Sequence, residues 1–165
     1  MKIRAAVVTV SDRSFRKVRA DLSGPAVAET LSRLPGLEIV QSVVLPDDKR
    51  FIRRAIRYFA DALRLDLVVT TGGTGVDPRD VTPDATLDMI DREVPGMADA
   101  MRSASLKSIP TATFSRAVAG VRRTTMVVNL PGSPAGAREN LLAILDTIPH
   151  AIDKIRGTPT DCATP

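Results

Sequence analysis

The sequence predicts a three-layer α/β/α sandwich around a largely parallel sheet, and three observations carry that prediction. Short apolar, β-branched runs alternate with segments of helical periodicity, the pattern of successive βαβ units. Glycine, proline and aspartate cluster where the apolar runs end, as turns require. The 165 residues, 44% of them hydrophobic, suit one compact domain with a substantial core. No internal repeat or low-complexity segment divides the chain. Residues 1–156 are therefore read as a single α/β domain and residues 157–165 as a flexible polar tail.

The elements follow in order. IRAAVVTV (3–10) is the first strand. With the basic residues before it, this run looks like the front of a signal peptide. SDRSFRKVR follows at once, without a small-residue cleavage site, and the run is too short to span a membrane. A cytoplasmic location is expected. SDRSFRKVRADLS is a polar, basic loop, and SGPAVAETLSRL (23–34) a helix with Ser23 as its cap and Pro25 in its first turn. LEIVQSVVL (37–45) is a strand. PDDKRFIRRAIRYFADALR has the clearest helical pattern: Ile52, Ala55, Ile56, Phe59 and Leu63 share one face, and the charged residues lie away from it. LDLVVT, uninterrupted by charge after Asp66, suits a central parallel strand buried on both sides. After the loop TTGGTGVDPRDV, Thr82 caps a helix whose first residue is Pro83. PGMADAMRSASLKS is a further helix, and a hairpin or strand pair is expected around GVRRT, continuing into TTMVVNL. PGSPAGARENLLAILDTIPHAIDKIR is a turn and one long helix.

Composition removes several function classes. Aromatic residues are 3% of the chain and Trp is absent, so no aromatic platform for single-stranded nucleic acid is expected. The net charge of +4 comes mainly from arginines, whose planar forks suit phosphate and carboxylate. They are scattered rather than gathered in one tract, which favours a small phosphorylated metabolite over nucleic acid. The single cysteine, Cys162, permits neither an internal disulfide nor a cysteine metal cluster. His150 is the only histidine, which excludes a histidine zinc site or a His-dependent triad. Both residues are read as incidental.

Ligands of open α/β sheets bind outside the carboxyl ends of the strands. SDRS, LPDD, TTGGTGVDPRD and NLPGS fall there. Glycine-rich loops let backbone N–H groups approach an anion, and a following helix adds its positive end. TTGGTG therefore reads as a phosphate cradle; it reads equally as a flexible turn with a helix cap. It matches neither GxxxxGK[ST] nor GxGxxG. Asp80 beside such a cradle needs a cation between itself and phosphate, and Mg²⁺ is the usual one. Asp47 or Asp48 can supply a second carboxylate, although capping the next helix is the plainer role, above all for Asp48. Asp84, in a helix's first turn, is read as structural, and Asp77 before Pro78 as turn chemistry. Asn129 with Pro131-Gly132-Ser133 either holds a polar ligand or simply closes a strand. Ser115 and Arg116 either contact a phosphate or form a solvated strand end.

TTGGTGVDPRDVTPDAT resembles the signature of the MogA/MoaB family of molybdenum cofactor biosynthesis proteins, to which the G domains of gephyrin and of plant molybdenum insertases belong. TVSDR, DLSGP, LPDD, EVPGMADAMR, FSRAVAGVR and NLPGSPAGARENL match in the same order, from about residue 5 to 155. The resemblance implies a mostly parallel sheet with one antiparallel strand. It implies molybdopterin adenylyltransferase activity: the terminal phosphate of molybdopterin attacks the α-phosphate of ATP, pyrophosphate leaves, and the adenylylated pterin passes to a molybdate-inserting protein. It implies Mg²⁺ held by Asp47 and Asp80, with Ser115 of FSR as a third catalytic residue. Thr71, Gly72, Gly73, Thr74 and Gly75 are the implied nucleotide-phosphate loop, and Ser11, Asn129, Gly132 and Ser133 the implied pterin contacts. A homotrimer or hexamer is expected, without nucleic acid or membrane.

The chain departs from the family pattern in one place. Many relatives carry SAGxxxDxSG after the first strand; here the loop reads SFRKVRADLSG, with Arg16 in place of the glycine. A carrier or scaffold of the same fold, binding molybdopterin without adenylylating it, is the second reading. CinA-type proteins have a loop closer to GGLGPTxDD and usually a further domain. The MoeA enzymes hold this module within a much longer chain.

Overall fold

A computed structural model describes residues 2–158; Cys162 and most of the expected tail lie outside the described residues. In chain order the elements are β1 (Ile3–Val10), α1 (Asp12–Phe15), α2 (Ser23–Leu31), β2 (Leu37–Leu45), α3 (Lys49–Arg57), β3 (Leu67–Thr71), α4 (Thr82–Leu87), β4 (Arg92–Glu93), α5 (Pro95–Leu106), β5 (Ala119–Arg122), β6 (Thr125–Leu130), α6 (Pro134–Ile144) and α7 (Ile148–Ile155). The sheet has six strands in the order β2-β1-β3-β6-β5-β4. β2, β1, β3 and β6 are parallel neighbours, β5 is antiparallel to β6, and β4 is antiparallel to β5. β5 is thus the one strand running against the rest, and the tight β5–β6 turn places Arg123 at φ 52°.

Side-chain alternation along the strands creates the layers. Ile3, Ala5 and Val7 of β1 join Val69, Val128, Leu31, Met101, Leu141 and Ile152 in one core, beneath α2, α5, α6 and α7. Ala6, Val8 and Val10 face the other way, with Val68 and Val127, against Ile52, Ile56, Phe59 and Ala85 beneath α3 and α4. Both faces are covered, so β3 and β6 are buried along their whole length.

Four local expectations change. Residues 12–15 of the first loop form α1, because the Ser11 side chain accepts the Ser14 N–H at 3.2 Å and caps the turn. Ser23 lies inside α2; the carboxylate of Asp21 takes the Gly24 N–H at 2.9 Å and does the capping. Thr82 is the first residue of α4 and makes no side-chain cap bond. The expected long C-terminal helix is two helices joined by a 3₁₀ turn, Leu145–Thr147, with Pro149, which lacks an N–H, in the first turn of α7. No helix among the described residues is long and apolar enough to cross a membrane.

Candidate active site

The chain leaves β1 toward β2 on one side of the sheet, whereas β3 lies on the other side of β1. Such a reversal opens a crevice at the carboxyl ends of the strands. A cavity of about 360 Å³ occupies it, lined by Ser11 after β1, Asp47 after β2, Gly72 and Gly73 after β3, and Gly132 and Ser133 after β6. A second cavity, of about 240 Å³, is lined by Thr74, Gly75, Ser115 and Ser133, with Ile109 and Phe114 giving it an apolar wall. Ser133 lines both, so the two spaces adjoin.

The glycines are required by geometry. Gly72 sits at φ 106°, and a Cβ there would run into the backbone carbonyl of Val10. Gly73 sits at φ 65°, where a Cβ would lie 2.6 Å from Thr82 Oγ1 and 3.3 Å from Asp47 Oδ1. Left-handed backbone and close approach together leave only glycine at both positions. At Gly75 the constraint is steric: a Cβ would stand 2.7 Å from Asp80 Oδ2.

Asp47 is fixed by reciprocal bonds to Asp12. The Asp12 N–H donates to Asp47 Oδ2 at 2.8 Å, and the Asp47 N–H donates to Asp12 Oδ1 at 3.0 Å. Arg79, from the glycine loop, forms an ion pair with Asp12 and ties that loop to the same corner. Burial raises the Asp47 pKa, and the charges of Asp80 and Asp77 raise it further. Asp80 Oδ2 accepts the Asp77 N–H at 3.0 Å, and the Asp80 N–H donates to the Asp77 carbonyl at 2.8 Å. Among the described residues neither the Asp47 nor the Asp80 carboxylate forms a salt bridge or hydrogen bond with a cationic side chain. Asp48 behaves otherwise: it caps α3 and is bonded by Arg50, which holds its carboxyl below the usual range.

Thr82 Oγ1 is buried beside Gly73 and is without a hydrogen-bond partner among the described residues. Together with Asp47 and Asp80 it gives the corner only oxygen donors, the chemistry that suits a hard divalent cation. No group of three or more His, Cys, Asp or Glu among the described residues could hold a metal ion. A cation held here would therefore complete its shell with ligand oxygens and water, as Mg²⁺ commonly does.

Two of the residues expected to contact a ligand have buried, internally bonded side chains. Asn129 is fully buried: its Nδ2 donates to Thr70 Oγ1 at 3.0 Å and Thr86 Oγ1 at 2.9 Å, and its Oδ1 accepts the Val118 N–H at 3.2 Å. It ties β6 to β3, α4 and the segment entering β5, and it is not among the residues lining either of the two cavities. Thr71 is also fully buried, its hydroxyl donating to the Pro131 carbonyl at 2.6 Å. Ser133 caps α6 through the Gly136 N–H at 3.1 Å while lining both cavities. Ser115 Oγ accepts the Ala117 N–H at 3.3 Å and lines the second cavity. The expected nucleotide-loop and pterin-contact residues thus mix: Gly72 and Gly73 share the first cavity with Ser11 and Gly132, whereas Thr74 and Gly75 face the second. His150 is exposed on α7 and lines neither cavity.

Sequence reasoning missed Thr9, Arg19 and Asp21, which line the first cavity. Asp21 accepts from Thr9 Oγ1 at 2.8 Å as well as from the Gly24 N–H. The signal was present, since Asp is a favoured helix cap three residues ahead of Gly24, but Ser23 competed for the same role.

Residues 6–150 match a family described as "Probable molybdopterin binding domain". The chain is similar to the molybdopterin adenylyltransferase of Helicobacter pylori, 41% identical over 157 residues that cover 94% of this chain and 89% of that protein. The molybdopterin adenylyltransferase of Escherichia coli is 36% identical, with 98% of this chain and 89% of that protein covered. Among solved structures, the molybdopterin biosynthesis enzyme MoaB from Thermus thermophilus matches with a TM-score of 0.89 at 46% identity, covering 96% of this chain and 99% of that one.

Proposed function

Because this chain belongs to the MogA/MoaB family of molybdenum cofactor biosynthesis proteins, we propose that its two adjoining cavities bring ATP and molybdopterin together for adenylyl transfer. The observation that carries the reading is the shared wall at Ser133. Asp47 lies in one cavity, and Gly75, in contact range of Asp80, lines the other.

The terminal phosphate of molybdopterin attacks the α-phosphorus of ATP. A P–O bond forms to the pterin phosphate, the bond between the α-phosphorus and its bridging oxygen breaks, and pyrophosphate carries away the electron pair. The attacking oxygen is already ionised near neutral pH, so no general base is required. The barrier is largely repulsion between two polyanions, and the chain's work is neutralisation and alignment. The backbone N–H of Gly73 and the capped start of α6 offer partial positive charge to phosphate oxygens in the first cavity, whereas the Gly72 N–H is held by the Leu130 carbonyl at 3.1 Å. Ser11 and Ser133 offer hydroxyls there, and Ser115 offers one in the second cavity. Mg²⁺, when bound at Asp47 and Asp80, supplies the charge that lets carboxylates and phosphates share one corner. Asp12 holds Asp47 in place, and the Asp77 N–H holds Asp80.

The test is direct. Purified protein receives ATP, Mg²⁺ and molybdopterin, and adenylylated pterin and pyrophosphate are measured, with Asp80→Asn in parallel. Product from the wild type and not the variant is expected. Molybdopterin binding without product from the wild type would replace the enzyme reading with a carrier. A homotrimer, a cytoplasmic location and a molybdate-inserting acceptor of the product belong to the same proposal. Light scattering, cell fractionation and co-purification respectively test them.

A further inference from the structure

We infer that Arg116 is a positioning residue that sets the glycine loop and its Asp80, with Asp84 as its fixed counter-ion. A guanidinium next to Ser115 at the edge of a phosphate-handling cavity invites assignment to a substrate phosphate. The geometry points elsewhere. The Arg116 N–H donates to the Thr74 carbonyl at 2.8 Å, Nε to the Gly75 carbonyl at 2.9 Å, and Nη2 to the Asp80 carbonyl at 2.5 Å. Nη1 and Nη2 also reach the two oxygens of Asp84 at 3.2 and 2.9 Å.

One side chain thus grips both ends of the 75–80 loop and the first turn of α4. Every nitrogen of the fork is engaged, and its charge is matched by Asp84. The 75–80 loop has few other ties: the Asp77–Asp80 bonds, the Arg79 N–H to Asp77 Oδ1 at 2.9 Å, the Arg79–Asp12 ion pair and, beside the loop, the Thr82 N–H to the Gly73 carbonyl at 3.1 Å. Lysine cannot replace the grip, because three divergent carbonyl and carboxylate acceptors need a planar fork rather than a single ammonium. Asp84, a first-turn carboxylate by local sequence, acquires a role in the site through Arg116.

The test compares Arg116→Ala, Arg116→Lys and Asp84→Asn by two readouts. The first is adenylyl-transfer kinetics, which rests on the proposed function. The second is amide hydrogen exchange, which does not. A shift of Asp80 approaching 1 Å is expected to lower kcat of Arg116→Ala on the order of 10-fold to 100-fold, with KM for ATP little changed. Arg116→Lys recovers little of that loss, and Asp84→Asn loses kcat in the same sense. In all three, the amides of Asp77, Asp80 and Thr82 exchange faster, while those of Val68 and Val128 hold their rates. A rise in KM with unchanged loop exchange would make Arg116 a substrate contact and overturn the inference. So would Asp84→Asn that keeps or gains activity, as expected if it freed the guanidinium for phosphate. Unchanged exchange and unchanged kinetics would overturn it as well. If the wild type makes no product, the exchange rates alone decide, since accelerated loop amides support the clamp whatever the reaction. If Arg116→Ala does not fold, Arg116→Lys carries both readouts.

Discussion

Gly75→Ala isolates the position of one carboxylate. A Cβ at residue 75 would stand 2.7 Å from Asp80 Oδ2, whereas ordinary contact begins at 3.4 Å. Restoring ordinary contact moves the carboxylate by 3.4 − 2.7 = 0.7 Å. Gly75 does not have the positive φ of Gly72 or Gly73, so alanine adds no backbone strain. Alanine in an accessible conformation also reduces unfolded-chain freedom, which is worth about 0.4–1 kcal/mol of added stability. The thermal midpoint should therefore hold or rise slightly. Activity should not: misplacement approaching 1 Å in a positioned site costs up to about 100-fold, so a kcat loss of roughly 10-fold to 100-fold is expected. The assay is steady-state pyrophosphate release, paired with thermal unfolding. Wild-type kcat in Gly75→Ala, beside an inactive Asp80→Asn, would show that the carboxylate's position is not critical.

Further predictions follow from the same corner and from the strands beneath it. Asp47→Asn should abolish turnover yet raise the thermal midpoint at pH 7: the raised pKa of Asp47 means the folded state disfavours its ionised form. The sign sets the window. The cost is present above the raised folded pKa and disappears below the ordinary aspartate value of 3.8, so the two melting curves should converge as pH falls through that range. A variant no more stable than wild type at pH 7 would contradict the electrostatic reading of the corner. Mg²⁺ should raise the midpoint of the wild type and not of Asp47→Asn, and equal shifts in both would remove Asp47 from cation binding. Asn129→Ala leaves the Val118 N–H without its Asn129 partner and removes the link between Thr70 and Thr86. A loss of about 2–3 kcal/mol, or roughly 4–12 °C in thermal midpoint, is expected, and an unchanged midpoint would refute it. Gly72→Ala combines left-handed strain with contact against the Val10 carbonyl, and should cost about 3 kcal/mol or more in denaturant unfolding.

What the sequence determined by itself was what local chemistry can encode. Apolar, β-branched runs placed the strands β1, β2, β3 and β6, and period-3.6 patterning the helix α3, close to where they stand, because burial inside a covered sheet or on a helix face leaves its mark in the residues. It also placed the polar loops at the carboxyl ends of the strands, where an alternating fold positions its ligands. Asp47, Gly73 and Ser133 were legible for that reason. The tertiary structure decided everything that depends on two distant segments meeting. Asn129 looks the same in sequence whether it greets a ligand or is bonded to Thr70 and Thr86; only the β3–β6 pairing and the packing of α4 show that it is a buried tie. Asp84 and Arg116 are 32 residues apart, and nothing local to either announces their ion pair. Capping was ambiguous at Asp21 and Ser23 because both residue types serve that role, and the contest was settled by Thr9, which donates to Asp21 from the neighbouring strand end. A linear pattern records which face of an element is buried, whereas a site is made by which elements the buried faces bring together.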